Sequence, residues 1–199
     1  MNATFLPLRQ QIERFTALTD GEWAMLEPHL RVETIQKHQL FAEAGQRANA
    51  LGLVLEGMFR QFYTVDGEEK TTYFFFEGHL ISAYISCLTG QPSLLSIEAL
   101  SNGRYIVFPY TVLTQLYEQS PTWQKFGRLV GEYALQGLEE RMVGLLTQSP
   151  EQRYVALLES NKKKIIERIA QHYIANDLGI TPVSLSRIRA RVTGKKYEV

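Results

Sequence analysis

The chain has 199 residues, 45% hydrophobic and 21% charged with a formal charge of zero, which suits a globular protein able to bury one large core or two small ones. No apolar run approaches the roughly 20 residues of a membrane span, and MNATFLPLRQQIERF lacks a basic region followed by an apolar block, so neither a membrane partner nor a secretory leader is expected. Cys87 is the only cysteine, which excludes an internal disulfide and fits a reducing cytoplasm.

Residues 2–30 read as helical. Phe5, Leu8, Ile12 and Phe15 share one face, and Thr19 or Asp20 can cap a further helix through Trp23 and Leu26. From Arg31 to about Tyr110 the period changes to short apolar or alternating runs: Val32–Ile35, Gln39–Ala42, Leu51–Leu55, Met58–Val65, Glu69–Phe75, Ser96–Leu100 and Tyr105–Pro109. Turn residues recur about every ten positions, and Asp66-Gly67 is a strong hairpin signal, so a barrel, sandwich or roll is expected here. Thr71–Phe76 (TTYFFF) reads as a buried strand.

Between Gly78 and Ser96 the strand pattern breaks into an expected short helix, Leu80–Leu88, and a loop over Thr89–Ser93. Such an insert either receives a ligand or closes the roll as a packing excursion. Thr111–Gln119 is a short helix, and Pro121 opens a long one to about Thr147. On it Phe126, Val130, Tyr133, Gly137 and Arg141 lie along one line, and Leu135, Leu138, Met142 and Leu145 along another. Two apolar stripes require two surfaces to bury: the roll and a second copy of the helix, or one broad face within a single chain. Another helix covers Pro150–Glu159, Asn161–Lys164 is the expected joint, and Ile165–Ile169 leads into the last module.

That module is QHYIANDLGITPVSLSRIRAR, Gln171–Arg191. Ile174, Ala175 and Leu178 share one helical face, Gly179 supplies a turn tolerant of positive φ, Thr181 can cap a second helix, and Pro182 suits its first turn. Ile180, Leu185 and Ile188 complete the buried side; Ser184, Arg187 and Arg191 lie opposite, with Arg189 at the edge. This is the layout of a helix-turn-helix, although an ordinary helical hairpin shares much of it. Residues 161–199 hold nine bases and three acids, a net +6 that leaves −6 on the rest of the chain. A basic end suits presentation to phosphate, and a solvated tail would be basic too.

Taken together, an α+β chain with an N-terminal jelly-roll-like β-roll, flanking helices, a long helix and a C-terminal helix-turn-helix resembles the Crp–Fnr family of bacterial transcription regulators. The likeness is sharpest in YIANDLGITPVSLSRIR (Tyr173–Arg189) and FFFEGHLISAYISCLTGQPSLLSIEAL (Phe74–Leu100), which look most like the Bacteroidetes-type subgroup. The resemblance implies a cyclic-nucleotide-binding-like sensor over residues 1–147, including the dimer helix at about 121–147, and a DNA-binding domain over 148–199. It implies a homodimer on a near-palindromic operator of double-stranded DNA, with half-sites ~34 Å apart, and RNA polymerase as a further partner.

Thr181, Pro182, Val183, Ser184, Ser186 and Arg187 would then face the groove, Arg187 being suited to a bidentate guanine contact and Val183 to a thymine methyl. Arg189, Arg191, Lys195 and Lys196 would hold phosphates. Many relatives have Glu where Val183 stands, so their operator does not carry over. Only Val192–Val199 follow the second helix, so no wing after it is expected.

In the family, cyclic nucleotides are held by a Gly-Glu pair near the start of the insert and an Arg near its end. Here Gly78 is followed by His79, and Gln91–Ser96 contains no base. A buried phosphate without a cation is poorly stabilised, so cyclic AMP is not the expected effector. The candidate pocket, Gly78, His79, Leu80, Ser93, Leu94 and Leu95, either takes another small molecule or is vestigial. His29, His38, His79 and His172 show no metal-ligand spacing, one thiol cannot hold an iron–sulfur cluster, and no phosphate loop or nucleophile elbow is present, so no cofactor and no enzymatic activity are expected. The rival reading is a small-molecule-binding module that does not engage DNA.

Overall fold

The computed structural model describes residues 2–159 and 163–194. Lys195 and Lys196, and Asn161 and Lys162 of the expected joint, lie outside the described residues. The chain divides into two compact units: Met1–Tyr63 with Phe74–Leu135, and Thr64–Tyr73 with Gln136–Val199. The division falls inside the long helix, and the tip of one hairpin is counted with the C-terminal unit.

The first unit begins with α1 (Leu6–Glu13) and α2 (Asp20–Leu26). A reciprocal capping box opens α2: Glu22 N donates to Thr19 Oγ1 at 3.2 Å, and Thr19 N to Glu22 Oε2 at 2.9 Å. The strands are β1 (Arg31–Ile35), β2 (Leu40–Ala42), β3 (Ala50–Glu56), β4 (Phe59–Val65), β5 (Glu68–Phe75), β6 (Leu80–Ile81), β7 (Ser96–Ala99) and β8 (Gly103–Pro109). They form two four-stranded sheets, ordered β1-β8-β3-β6 and β2-β7-β4-β5. The described pairings are antiparallel; Arg31 faces Val107 across β1–β8, and Phe59 faces Ala99 across β4–β7. Asp66 and Gly67, both at positive φ, close the β4–β5 hairpin where the sequence marks a turn.

Alternation along the strands makes two apolar layers. Val54, Phe59, Phe75, Ile81, Ile97, Ala99 and Tyr105 pack together as one core. On the other side, Leu53, Ile106 and Phe108 meet Leu8, Ile12, Trp23 and Leu26 of the first two helices, with α4 (Tyr110–Gln119) and the start of α5 (Pro121–Thr147). Trp23 and Trp123 are fully enclosed. Each fully buried Leu, Ile or Phe of these layers stabilises the fold by about 1.5–3 kcal/mol. At Gly127 of α5 a Cβ would overlap the hydroxyl end of the Tyr117 ring, so a larger residue there would force that ring to shift.

The insert differs from expectation at its start. Leu80–Ile81 is not helical: it forms β6, pairing with Gly52 and Leu53, and α3 covers Tyr84–Thr89 only.

The second unit holds the hairpin tip, the later half of α5, α6 (Pro150–Glu159), α7 (Lys163–Arg168), α8 (Gln171–Asp177) and α9 (Pro182–Gly194). Tyr154, Ile165, Ile169, Ile174, Ala175, Leu178, Leu185 and Ile188 are its buried apolar residues.

Candidate functional site

The joint between α8 and α9 is closed by paired backbone hydrogen bonds. Ile180 N donates to Ala175 O at 2.9 Å and Gly179 N to Asn176 O at 3.0 Å, while Gly179 sits at φ +68°. This is a Schellman ending, which needs a residue free to enter the left-handed region. The next helix is capped at once: Ser184 N donates to Thr181 Oγ1 at 3.2 Å, with Pro182 in the first turn. Ala175 and Leu185 are both fully buried. Ile180 is half-buried.

The opposite side of α9 is open. Pro182, Val183, Ser186 and Arg187 are exposed, Val183 by 62%, while Ser184 and Arg189 are half-buried. The Ser184 hydroxyl lies 3.0 Å from Thr181 Oγ1, so this pair contributes first to the cap. Among the described residues, Arg187 makes no hydrogen bond or ion pair. Arg191 differs: its Nε and one terminal nitrogen donate to Glu151 Oε2 at 3.0 and 2.7 Å.

The long helix distributes its apolar residues unequally. Phe126 is buried, edge-on to Phe15 and Trp123, and Val130 packs against the same core. Both therefore pack within the chain's own core. Tyr133 is 64% exposed with its ring edge-on to Phe15, and Gly137 has open space where a Cβ would be. Arg141 donates to Asp177 Oδ1 at 2.9 Å and to Thr71 O at 3.3 Å. The stripe that stays bare is the other one, Leu135, Leu138, Met142 and Leu145.

The six candidate effector residues differ in surroundings. Gly78 and His79 form the β5–β6 turn, with Gly78 N donating to Val54 O at 2.9 Å and Val54 N to His79 O at 3.0 Å. Leu80 packs against the helical core, Leu95 against the sheet core, and Leu94 is 80% exposed. The buried Ser93 hydroxyl is used inside its own loop, donating to Leu95 O at 2.7 Å.

Aromatic rings pack inside the roll. Tyr105 stands edge-on to Phe41 and Phe59, and its hydroxyl donates to Glu33 Oε2 at 2.9 Å. Burial, then that carboxylate, push the phenol up to about 12. Two clefts are nearby, one of about 280 Å³ along Leu40–Ala50 and one of about 310 Å³ beside Thr34, Glu56 and Arg104; neither is lined by the six candidates.

Sequence reasoning missed two polar clusters. One is the buried pair Arg60–Glu98, which includes a cation on a strand that reads as apolar. The other gathers Arg141, Arg153, Asn176 and Asp177 around the end of α8. A hint existed for Arg153, because a cation near the start of a helix runs against the helix dipole and needs a reason.

Residues 32–120 match the family described as the cyclic nucleotide-binding domain. Among solved structures, the chain is similar to FixK2 from Bradyrhizobium japonicum, with TM-score 0.70, 16% identity, and 84% of this chain and 86% of that one covered. It is similar to a protein described as a transcriptional regulator of the Crp/Fnr family from Eubacterium rectale, with TM-score 0.68, 16% identity, and 89% and 85% covered. It is also similar to the c-di-GMP-responsive global regulator CLP from Xanthomonas campestris, with TM-score 0.67, 14% identity, and 89% and 93% covered. At these identities the likeness is one of fold. No curated protein matches the chain by sequence.

Proposed function

We propose that this chain is a sequence-specific, DNA-binding transcription regulator of the Crp–Fnr type that acts as a cytoplasmic homodimer. The observation that carries the reading is the two-sided character of α9: an apolar face buried on α8, and an outer face on which Val183, Ser186 and Arg187, which has no partner among the described residues, are exposed. A capped helix with such a face fits the DNA major groove, where guanidinium reads guanine and an apolar side chain reads the thymine methyl. Fold likeness to regulators supports the same reading.

The dimer seam is the bare stripe Leu135, Leu138, Met142 and Leu145, whose three-four-three spacing suits a helix pair. The effector, if the chain has one, is not cyclic AMP. Ser93 stands in the stretch where a cation would be required, and its hydroxyl is already committed to Leu95 O.

Selection of duplex DNA from a random library tests the reading. A half-site should emerge as an inverted repeat, with affinity falling steeply as salt rises. Arg187→Ala should cost about 1–3 kcal/mol and relax preference at one base pair. Recovery of no preferred sequence by the parent chain would end this interpretation. Saturable micromolar binding of labelled cyclic AMP would overturn the effector statement alone.

A further inference from the structure

The last three residues before the α8–α9 turn are each tied to a different element. The Asn176 side chain pairs with β5 as a strand residue would: Oδ1 accepts from Thr71 N at 2.5 Å and Nδ2 donates to Glu69 O at 2.7 Å. Asp177 is held by Arg141 of α5, through Oδ1 at 2.9 Å and its carbonyl at 3.3 Å. Leu178 O accepts from Arg153 of α6 at 2.8 Å.

Arg153 also closes the end of α5, donating to Gln148 O at 2.6 Å and to Gly144 O at 3.4 Å. One guanidinium thus joins the C-terminal ends of two helices, where unpaired carbonyls favour a cation. Its Nε is buried without a hydrogen-bond partner among the described residues. A buried unmade donor is destabilising and offsets part of what the bonds from the two terminal nitrogens contribute.

We propose that Arg153, with Arg141 and Asn176, is a positioning residue for DNA recognition that fixes the direction of α9 relative to the later half of the long helix. The proposal rests on the dimeric-regulator reading above. Its logic is mechanical. The Schellman turn and the Thr181 cap make α9 follow α8, and the clamp makes α8 follow α5. In a two-fold dimer seamed along α5, that chain of constraints sets the separation of the two α9 helices, and hence the spacing of half-sites that can be bound together.

Two measurements on the full-length chain test it. In the first, inverted repeats of the selected half-site are prepared with a series of spacer lengths. The parent should prefer one spacer. Arg153→Gln and Arg141→Gln should keep the dimer mass and the half-site sequence but lose about tenfold in spacer discrimination. Arg153→Lys, which retains the charge but not the fork, should fall between the parent and Arg153→Gln.

The second measurement needs no DNA. Spin labels at Glu139→Cys and Val183→Cys, in a Cys87→Ala background diluted with unlabelled chain, report the distance from α5 to α9 within one copy. That distribution should be narrow in the parent and broad in Arg153→Gln. A folded Arg153→Gln chain with a narrow distribution and unchanged spacer preference overturns the proposal. Broadening in a chain whose parent selects no DNA would instead defeat the regulator reading, and the role in recognition with it.

Discussion

The Arg60 guanidinium donates to Glu98 Oε2 from two nitrogens, at 2.7 and 2.6 Å, and both side chains are more than nine-tenths excluded from solvent. The two residues face each other across the β4–β7 ladder, and His38 Nδ1 lies 2.7 Å from the other carboxylate oxygen. Removing only the cation strands a buried carboxylate. Arg60→Met should therefore cost about 3–5 kcal/mol, and adding Glu98→Leu should restore most of it. Urea unfolding of the two variants checks this; equal loss in both would mean that the pair is not the relevant unit.

Arg191 is engaged with Glu151, and both side chains are accessible enough that the ion pair contributes little to stability. Under the proposed function its consequence lies in DNA binding. Glu151→Gln should free Arg191 for a phosphate, tighten DNA binding at low salt and steepen the salt dependence by about one counterion. Titrations at several salt concentrations decide the point, and an unchanged slope would remove Arg191 from the phosphate contacts.

Leu138 is 64% and Met142 55% exposed on the bare stripe of α5. Leu138→Asp should convert a dimer into a monomer while changing monomer stability by no more than about 0.5 kcal/mol. Sedimentation velocity and thermal unfolding read the two effects separately. A variant that keeps the parent mass would place the seam elsewhere.

Glu22 gives the fold a defined acid limb. Hydrogen bonds from the Thr122 hydroxyl and then from the Thr19 backbone hold its carboxyl at about 2, below the unfolded range. The folded state therefore binds this proton less readily than the unfolded one, and the stabilisation is present above the unfolded value near ~4.3. It should be lost as pH falls from there toward about 2. Glu22→Gln should be less stable at neutral pH and show a flatter loss in acid.

Much of this architecture is legible from residue order. Proline at 121 and 150 marks the starts of α5 and α6, the alternating runs coincide with seven of the strands, and the stop at Gly179 and cap at Thr181 are where their chemistry requires them. β6 was not legible, because a two-residue strand has no periodicity and exists only through its pairing with Gly52 and Leu53. Nor could the two stripes of α5 be assigned, since spacing shows that a face is apolar but not which neighbour covers it; Phe126 meets Phe15 and Trp123 of its own chain. The clusters around Glu98 and Asp177 join residues far apart in sequence, and no local pattern announces them.

β5 lies at the margin of its sheet, and the outward groups Glu69 O, Thr71 N and Thr71 O are all occupied by Asn176 and Arg141. A fragment ending near Leu135 would lack both caps and leave this margin open as a template for another chain. Such a truncated roll should self-associate in proportion to its concentration, so crystallisation or ligand screening of the roll is better attempted with the helices beyond Leu135 retained.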